Sequence, residues 1–292
     1  MKLTINFCIF ILLSNSFFVA FTNSKNDSKA LSKDIVLIAV TNRSLKEVGT
    51  YPWTRDKYAN LIEVVYSYYK PKVFFHSFIH DLPSREHPKG DNILAKTLKG
   101  KKNLLLAATM GGKQTEPAPH ISASISKVHL DLTPPSSIGG LFPISKLSNT
   151  GAIMAITTKI PAYDEYYNHL PTLFKIKNKY YTSVSVIAAC KYLNLDFKNL
   201  TFTKEKIISK NQSFEINQYG FFEVNFNGSF QEFDYIDVLN KKVNQTMLKD
   251  KIVIFSSKAT GWTTSLPTKK SLQLNDIYLT AYGIQTILDQ LR

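Results

Sequence analysis

Three short apolar runs recur along the first third of the chain with helical sequence between them. They are "DIVLIAV" (Asp34 to Val40), "KVFFHSFI" (Lys72 to Ile79) and "NLLLAAT" (Asn103 to Thr109). Continuous β-branched and leucine-rich runs of this length, without polar alternation, are the pattern of strands buried on both faces. The intervening segments carry helix signals. "SLKEVG" places Ser44 and Glu47 at capping-box spacing and Gly49 at the expected stop. A longer helix is expected from Thr54, with Asp56 in its first turn and Trp53 and Tyr58 at hydrophobic-staple spacing. Tyr58, Leu61, Ile62, Val65 and Tyr69 fall on one face of it, and Pro71 ends it. A further helix is expected over Asp91 to Leu98. Strand, helix, strand, helix, strand predicts a right-handed parallel βαβαβ unit. The fold class is therefore α/β, with a mixed, largely parallel sheet core and flanking helices.

The rest of the chain is less regular. "PAPHISASISKVHLDLTPPSSIGG", Pro117 to Gly140, reads as an extended proline- and serine-rich excursion. "GAIMAIT" returns to strand character. "LPTLFKIKNKYYTSVSVIAACKYL" predicts a strand, a tight Lys-Asn-Lys turn and a buried helix, and "SFEINQYGFFEVNF" predicts a β-hairpin about Gln218 to Gly220. "DYIDVL" reads as a short helix, "DKIVIFS" as a strand and "DIYLTAYGIQTILDQL" as a closing amphipathic helix.

The N-terminus addresses location. Lys2 precedes an apolar run, Ile5 to Leu13, interrupted at Ser14-Asn15-Ser16 and resumed to Phe21. That pattern reads as a secretory signal peptide over residues 1–22 or, if retained, as an anchor in the inner membrane. Residues 23–33 read as a polar linker and 34–292 as the folded domain, so the protein is expected to be periplasmic or extracellular. Cys8 lies in the apolar run, which leaves Cys190 as a small buried thiol in the mature chain.

Lys and Arg outnumber Asp and Glu by 36 to 22, a net +14, but the lysines are scattered. Nucleic-acid binding is not expected, because it would gather this charge on one face. A solvated surface is the plain reading, and attraction to envelope polymers or membrane headgroups the sharper one.

"NRSLKEVGTYPWTRDKYANLI", Asn42 to Ile62, joins Asn-Arg-Ser after a strand, a glycine, and Pro-Trp-x-Arg leading into Tyr-Ala. With the order of elements over residues 34–290, it resembles the second class of CHASE domains, extracytoplasmic sensors of bacterial receptor kinases and nucleotide cyclases. The resemblance implies a sensor-type domain that binds a small ligand or a membrane signalling partner; the family usually continues into transmembrane helices and a cytoplasmic output module, and here no output module is expected. It also marks departures. Ser77, Ser256 or Ser257, Thr264 and Asn168 stand where the family commonly has aspartate, glycine, aspartate and arginine. If those positions form the family's pocket, this chain binds something else or keeps only the scaffold. A degenerate structural domain of the envelope is thus the second reading, and an envelope hydrolase the third.

The candidate ligand-binding residues are Arg43, Trp53, Arg55 and Asp91. Two guanidiniums beside a helix start could grip a carboxylate or phosphate. Each could equally pair with a nearby acid or stack on an aromatic ring as part of the junction. His76 and His80 are read as lying on a strand running into a loop, about 13 Å apart. His80, Asp81 and His87 could meet in that loop, whereas His120, His129 and His169 are isolated. No catalytic set, metal site or cofactor is expected: there is no serine elbow, phosphate loop or dinucleotide fingerprint.

Overall fold

The computed structural model describes residues 30–85, 87–112, 124–125, 127–129, 131–162 and 164–292. Residues 1–22, expected to be a signal peptide or an anchor, and His120 lie outside the described residues.

Six parallel strands form the centre: β1 (Leu31–Val40), β2 (Val73–His76), β3 (Leu104–Met110), β4 (Ile153–Ile156), β5 (Ser229–Asp234) and β6 (Ile252–Ser257). Their spatial order is β5-β1-β6-β2-β3-β4, with Gly140–Leu141 added antiparallel to β3. The expected parallel unit is present, but its first two strands are not neighbours. β6, from near the end of the chain, fills the slot between them, pairing Ile35–Val40 on one side and Val73–His76 on the other.

Alternate residues of each strand feed two separate cores, as a pleat buried on both faces requires. On one face Val36, Ile38, Phe74, Leu106, Val253 and Phe255 meet α2 (Arg55–Val64), α3 (Pro88–Leu98) and α5 (Tyr235–Leu239). On the other, Ile35, Leu37, Phe75, Leu105 and Ile254 meet α4 (Val184–Tyr192) and α6 (Asp276–Leu291). α6 closes on its neighbours because residue 283 is glycine. A Cβ there would sit 2.6 Å from Leu170 Cδ1 and 2.9 Å from Ser185 Oγ.

Several local expectations are corrected. The first helix, α1 (Asn42–Val48), is capped by Thr41, whose hydroxyl accepts from the Arg43 and Ser44 amides while Ser44 closes the box. The box therefore starts three residues earlier than Ser44–Glu47. Gly49 does terminate α1, at φ 114°, where a side chain would be strained. Thr54 holds the N-cap position of α2 without a side-chain cap bond. α2 runs on as a π-helical turn, Val65–Tyr69, and stops at left-handed Lys70 before Pro71. β2 ends at His76, short of the expected Ile79, and both of its neighbours run on beyond it, β6 to Ser257 and β3 to Met110.

The Gln218–Gly220 hairpin is absent. The turn exists, with Asn217 Oδ1 accepting from the Tyr219 and Phe221 amides. Its two flanks pair elsewhere. Gln212–Glu215 joins Lys206–Ser209 across a shorter turn, and Phe221–Glu223 joins His169–Pro171. Turn chemistry fixes a reversal but not the pairing of its flanks, one of which goes to the adjacent strand and the other to a strand distant in sequence. A hairpin does form where the Lys177-Asn178 turn joins Leu173–Ile176 to Lys179–Thr182.

Phe255 is the hub of one core. Its ring lies 5.0 Å from Phe78, 5.6 Å from His76, 5.9 Å from Tyr235 and 6.3 Å from both Phe74 and Tyr58. Phe255→Ala should cost about 3–5 kcal/mol and Phe255→Leu under about 1.5 kcal/mol, measured as shifts in urea midpoint.

Candidate functional site

The Asn-Arg-Ser stretch follows β1 and ties strand ends together. Asp234, at the end of β5, accepts from the Thr41 hydroxyl, Ser44 Oγ (3.1 Å), Arg43 Nη2 (3.1 Å) and the Ile236 amide (2.8 Å). Arg43 also reaches Asp237 at 2.8 Å and Glu47 at 3.6 Å, and its hydrogen bond to Asp237, with the charge of Asp234, raises its pKa. Asn42 exchanges hydrogen bonds with Thr260 in the loop after β6, donating at 3.1 Å and accepting at 3.0 Å. Trp53 is buried, donates to the Gly49 carbonyl at 2.8 Å and packs on Tyr235 at 4.7 Å.

Arg55 and Asp91 are brought together as a buried ion pair joining α2 to α3. Arg55 also donates to the Leu82 carbonyl, and Asp91 accepts from the Ser84 amide at 3.1 Å, so the pair pins the loop after β2. Arg43 sits in a separate network. The four candidate residues thus do not converge on one opening, and each cation has carboxylate partners.

His76 and His80 meet, contrary to the expected separation. With its strand finished at His76, the chain doubles back and puts the two Nε2 atoms 2.8 Å apart. Tyr58 lies edge-on to both rings at 5.2 Å. One ring nitrogen must donate and the other accept, so at least the accepting ring is neutral, and burial disfavours a charge on either. Burial drives His76 down to about 3 from its ordinary 6.5 and His80 well below it, with the His76 and Arg55 charges adding to the latter. Among the described residues no three His, Cys, Asp or Glu side chains gather to hold a metal ion. Cys190 is buried in α4, and burial pushes its thiol up to about 12.

A cavity of about 300 Å³ opens elsewhere, at the carboxyl ends of β2, β4 and β6. Its origin is topological. The chain leaves β2 toward α3 on one face of the sheet and leaves the adjacent β6 toward α6 on the opposite face. Neighbouring strands whose connections part in this way leave a crevice at their ends. Ser77, Ser256 and Ser257 line it from the strand ends, Lys159 from the segment after β4, and Ile277 and Thr280 from the first turns of α6. Lys159 is largely buried and paired with Asp276. Tyr51 and Trp262 stand at the cavity wall with ring centroids 4.4 Å apart.

Sequence reasoning did not name these residues as a site, although its signal was present. Ser77, Ser256, Ser257 and Thr264, at positions where the chain departs from the pattern it resembles, all line this cavity. Asn168 does not line it; it is buried and accepts from the Lys269 amide at 2.7 Å.

The family model of the CHASE2 domain matches residues 5–292. The chain belongs to the CHASE2 domain family. CHASE2 is a sensor family rather than a catalytic one, and its domains are typically extracytoplasmic. Neither the curated proteins nor the solved structures contain a match to the chain. Among the described residues of this CHASE2 domain, no helix is long and apolar enough to cross a membrane.

Two outcomes follow from the buried groups. Arg55→Met, which strands Asp91, should cost roughly 3–5 kcal/mol, and adding Asp91→Leu should restore much of it, read from chemical denaturation. The unfolded chain protonates its histidines near pH 6.5, whereas His76 resists protonation until about 3. The stability associated with a neutral His76 is complete above about 6.5 and falls as pH drops toward 3, by about 1.4 kcal/mol per pH unit, and His80 acts in the same direction. A His76→Phe/His80→Leu variant should show a flatter decline over that window.

Proposed function

We propose that this CHASE2 domain is a non-enzymatic, extracytoplasmic sensor that takes a small ligand in the cavity at the ends of β2, β4 and β6, and that a membrane signalling partner reads its occupancy. The observation that carries the reading is the unused hydrogen-bonding capacity there. The hydroxyls of Ser77, Ser256, Thr264 and Thr280 line the opening and have no hydrogen-bond partner among the described residues. Thr280 is only 4% exposed, so its hydroxyl depends on whatever enters the cavity.

α6 supplies both a cavity wall and the last element of the fold. A ligand bridging the strand-end serines to Thr280 would fix the start of α6 relative to the sheet. That coupling gives a binding event a mechanical readout, provided the ligand favours one position of the helix. The Arg43 and Arg55 networks have a supporting role in this reading, holding the strand ends and the loop after β2 that frame the opening.

Native mass spectrometry of the protein from its own cells provides the test. The wild type should carry a small-molecule mass, Ser256→Phe should lose it, and Arg43→Gln should keep it. Absence of any bound mass, or its retention in a folded Ser256→Phe protein, would overturn the proposal.

A further inference from the structure

We infer that the ligand of this cavity is a neutral polyhydroxylated molecule of monosaccharide size; the inference rests on the cavity being the ligand site. The first argument is charge. The titratable groups on the lining are Tyr51, Lys159 and Asp276. Lys159 and Asp276 neutralise each other, and burial keeps the Tyr51 phenol protonated by raising its pKa. The start of α6, which could otherwise attract an anion, is already served. Asn275 accepts from the Ile277 amide at 3.0 Å, the Asp276 amide donates to the Thr264 carbonyl at 3.0 Å, and the Asp276 carboxylate complements the helix dipole. An anionic ligand would find no uncommitted cation and a cationic one no uncommitted carboxylate. Burying either charge there would be costly.

The second argument is hydrogen-bond type. The unclaimed groups are the hydroxyls of Ser77, Ser256, Thr264 and Thr280, and each can donate and accept. Ligand hydroxyls have the same dual character, so an array of this kind can satisfy a polyol whichever way its protons point. A carboxylate or phosphate, which only accepts, would leave the lining oxygens' lone pairs unused.

Shape agrees. A volume of about 300 Å³ lies at the small end of ligand cavities, typically about 300–1,000 Å³. Phe75, Phe78, Ile254 and Ile277 give it an apolar side. Trp262, 45% exposed and packed on Tyr51, offers an aromatic face to the C–H face of a sugar ring.

Calorimetric titration of the full chain with matched probes tests this. The neutral set is glucose, mannose, ribose and inositol, and the charged set is glucuronate, glucosamine and glucose phosphate. At least one neutral probe should bind, and its charged counterparts should bind at least about tenfold more weakly. Thr280→Val, close in volume and lacking the hydroxyl, should weaken the neutral probe by about tenfold with an unchanged circular dichroism spectrum. Ser256→Ala, at a strand end, provides a second reading should Thr280→Val fail to fold.

Tighter binding of a charged probe, itself weakened by these variants, would overturn the neutral assignment while leaving the cavity as the site. Binding of no neutral probe would overturn it as well. A ligand that binds with the same affinity in both variants would overturn the cavity reading along with it.

Discussion

The late strand Ile252–Ser257 is hydrogen-bonded on both sides to strands from the first third of the chain. Its alternate residues enter both cores, Ile252 and Ile254 on one face and Val253 and Phe255 on the other. A central parallel strand cannot find these partners until the chain on either side is in place, so it binds the beginning of the fold to its end. Its position also creates the cavity. Had β1 and β2 been adjacent, their connections would both have run to the α2 and α3 face, and no crevice would open between them. One topological fact thus accounts for the shared core and for the opening at the strand ends.

The signature around Asn42–Ile62 is explained largely by the support this arrangement needs. Thr41, Arg43 and Ser44 gather on Asp234, Asn42 holds the loop after β6 through Thr260, and Arg55 with Asp91 holds the loop after β2. Those two loops flank the cavity. Charged pairs of this kind fix geometry more surely than they add stability, particularly where one partner is half exposed, as Arg43 is.

Much of the fold was legible because it is written locally. Unbroken apolar runs such as Asp34–Val40 announce doubly buried strands, and the face from Tyr58 to Tyr69 announces a core helix. What was not legible depends on distant partners. Nothing near Ile252 says that it will separate β1 from β2, and nothing near Gln218 says that Phe221–Glu223 will pair with His169–Pro171. The meeting of His76 and His80 is hidden in the same way, since the sequence around them does not show that the strand stops at His76 and the chain turns back. The cavity was partly legible. Ser77, Ser256 and Thr264 were singled out as departures from a pattern, but their convergence is a property of the sheet, whereas the conspicuous arginines proved to be paired with carboxylates.

The central claim is that ligand chemistry resides at the ends of β2, β4 and β6 and that the arginine networks are supporting structure. A crystallographic soak of the full chain with a mixed set of neutral and charged small molecules tests it most directly. The account predicts ligand density bounded by Ser77, Ser256 and Thr280, with the Arg43–Asp234 and Arg55–Asp91 pairs intact. Density held by Arg43 or Arg55, with either pair opened and the strand-end cavity empty, would contradict it.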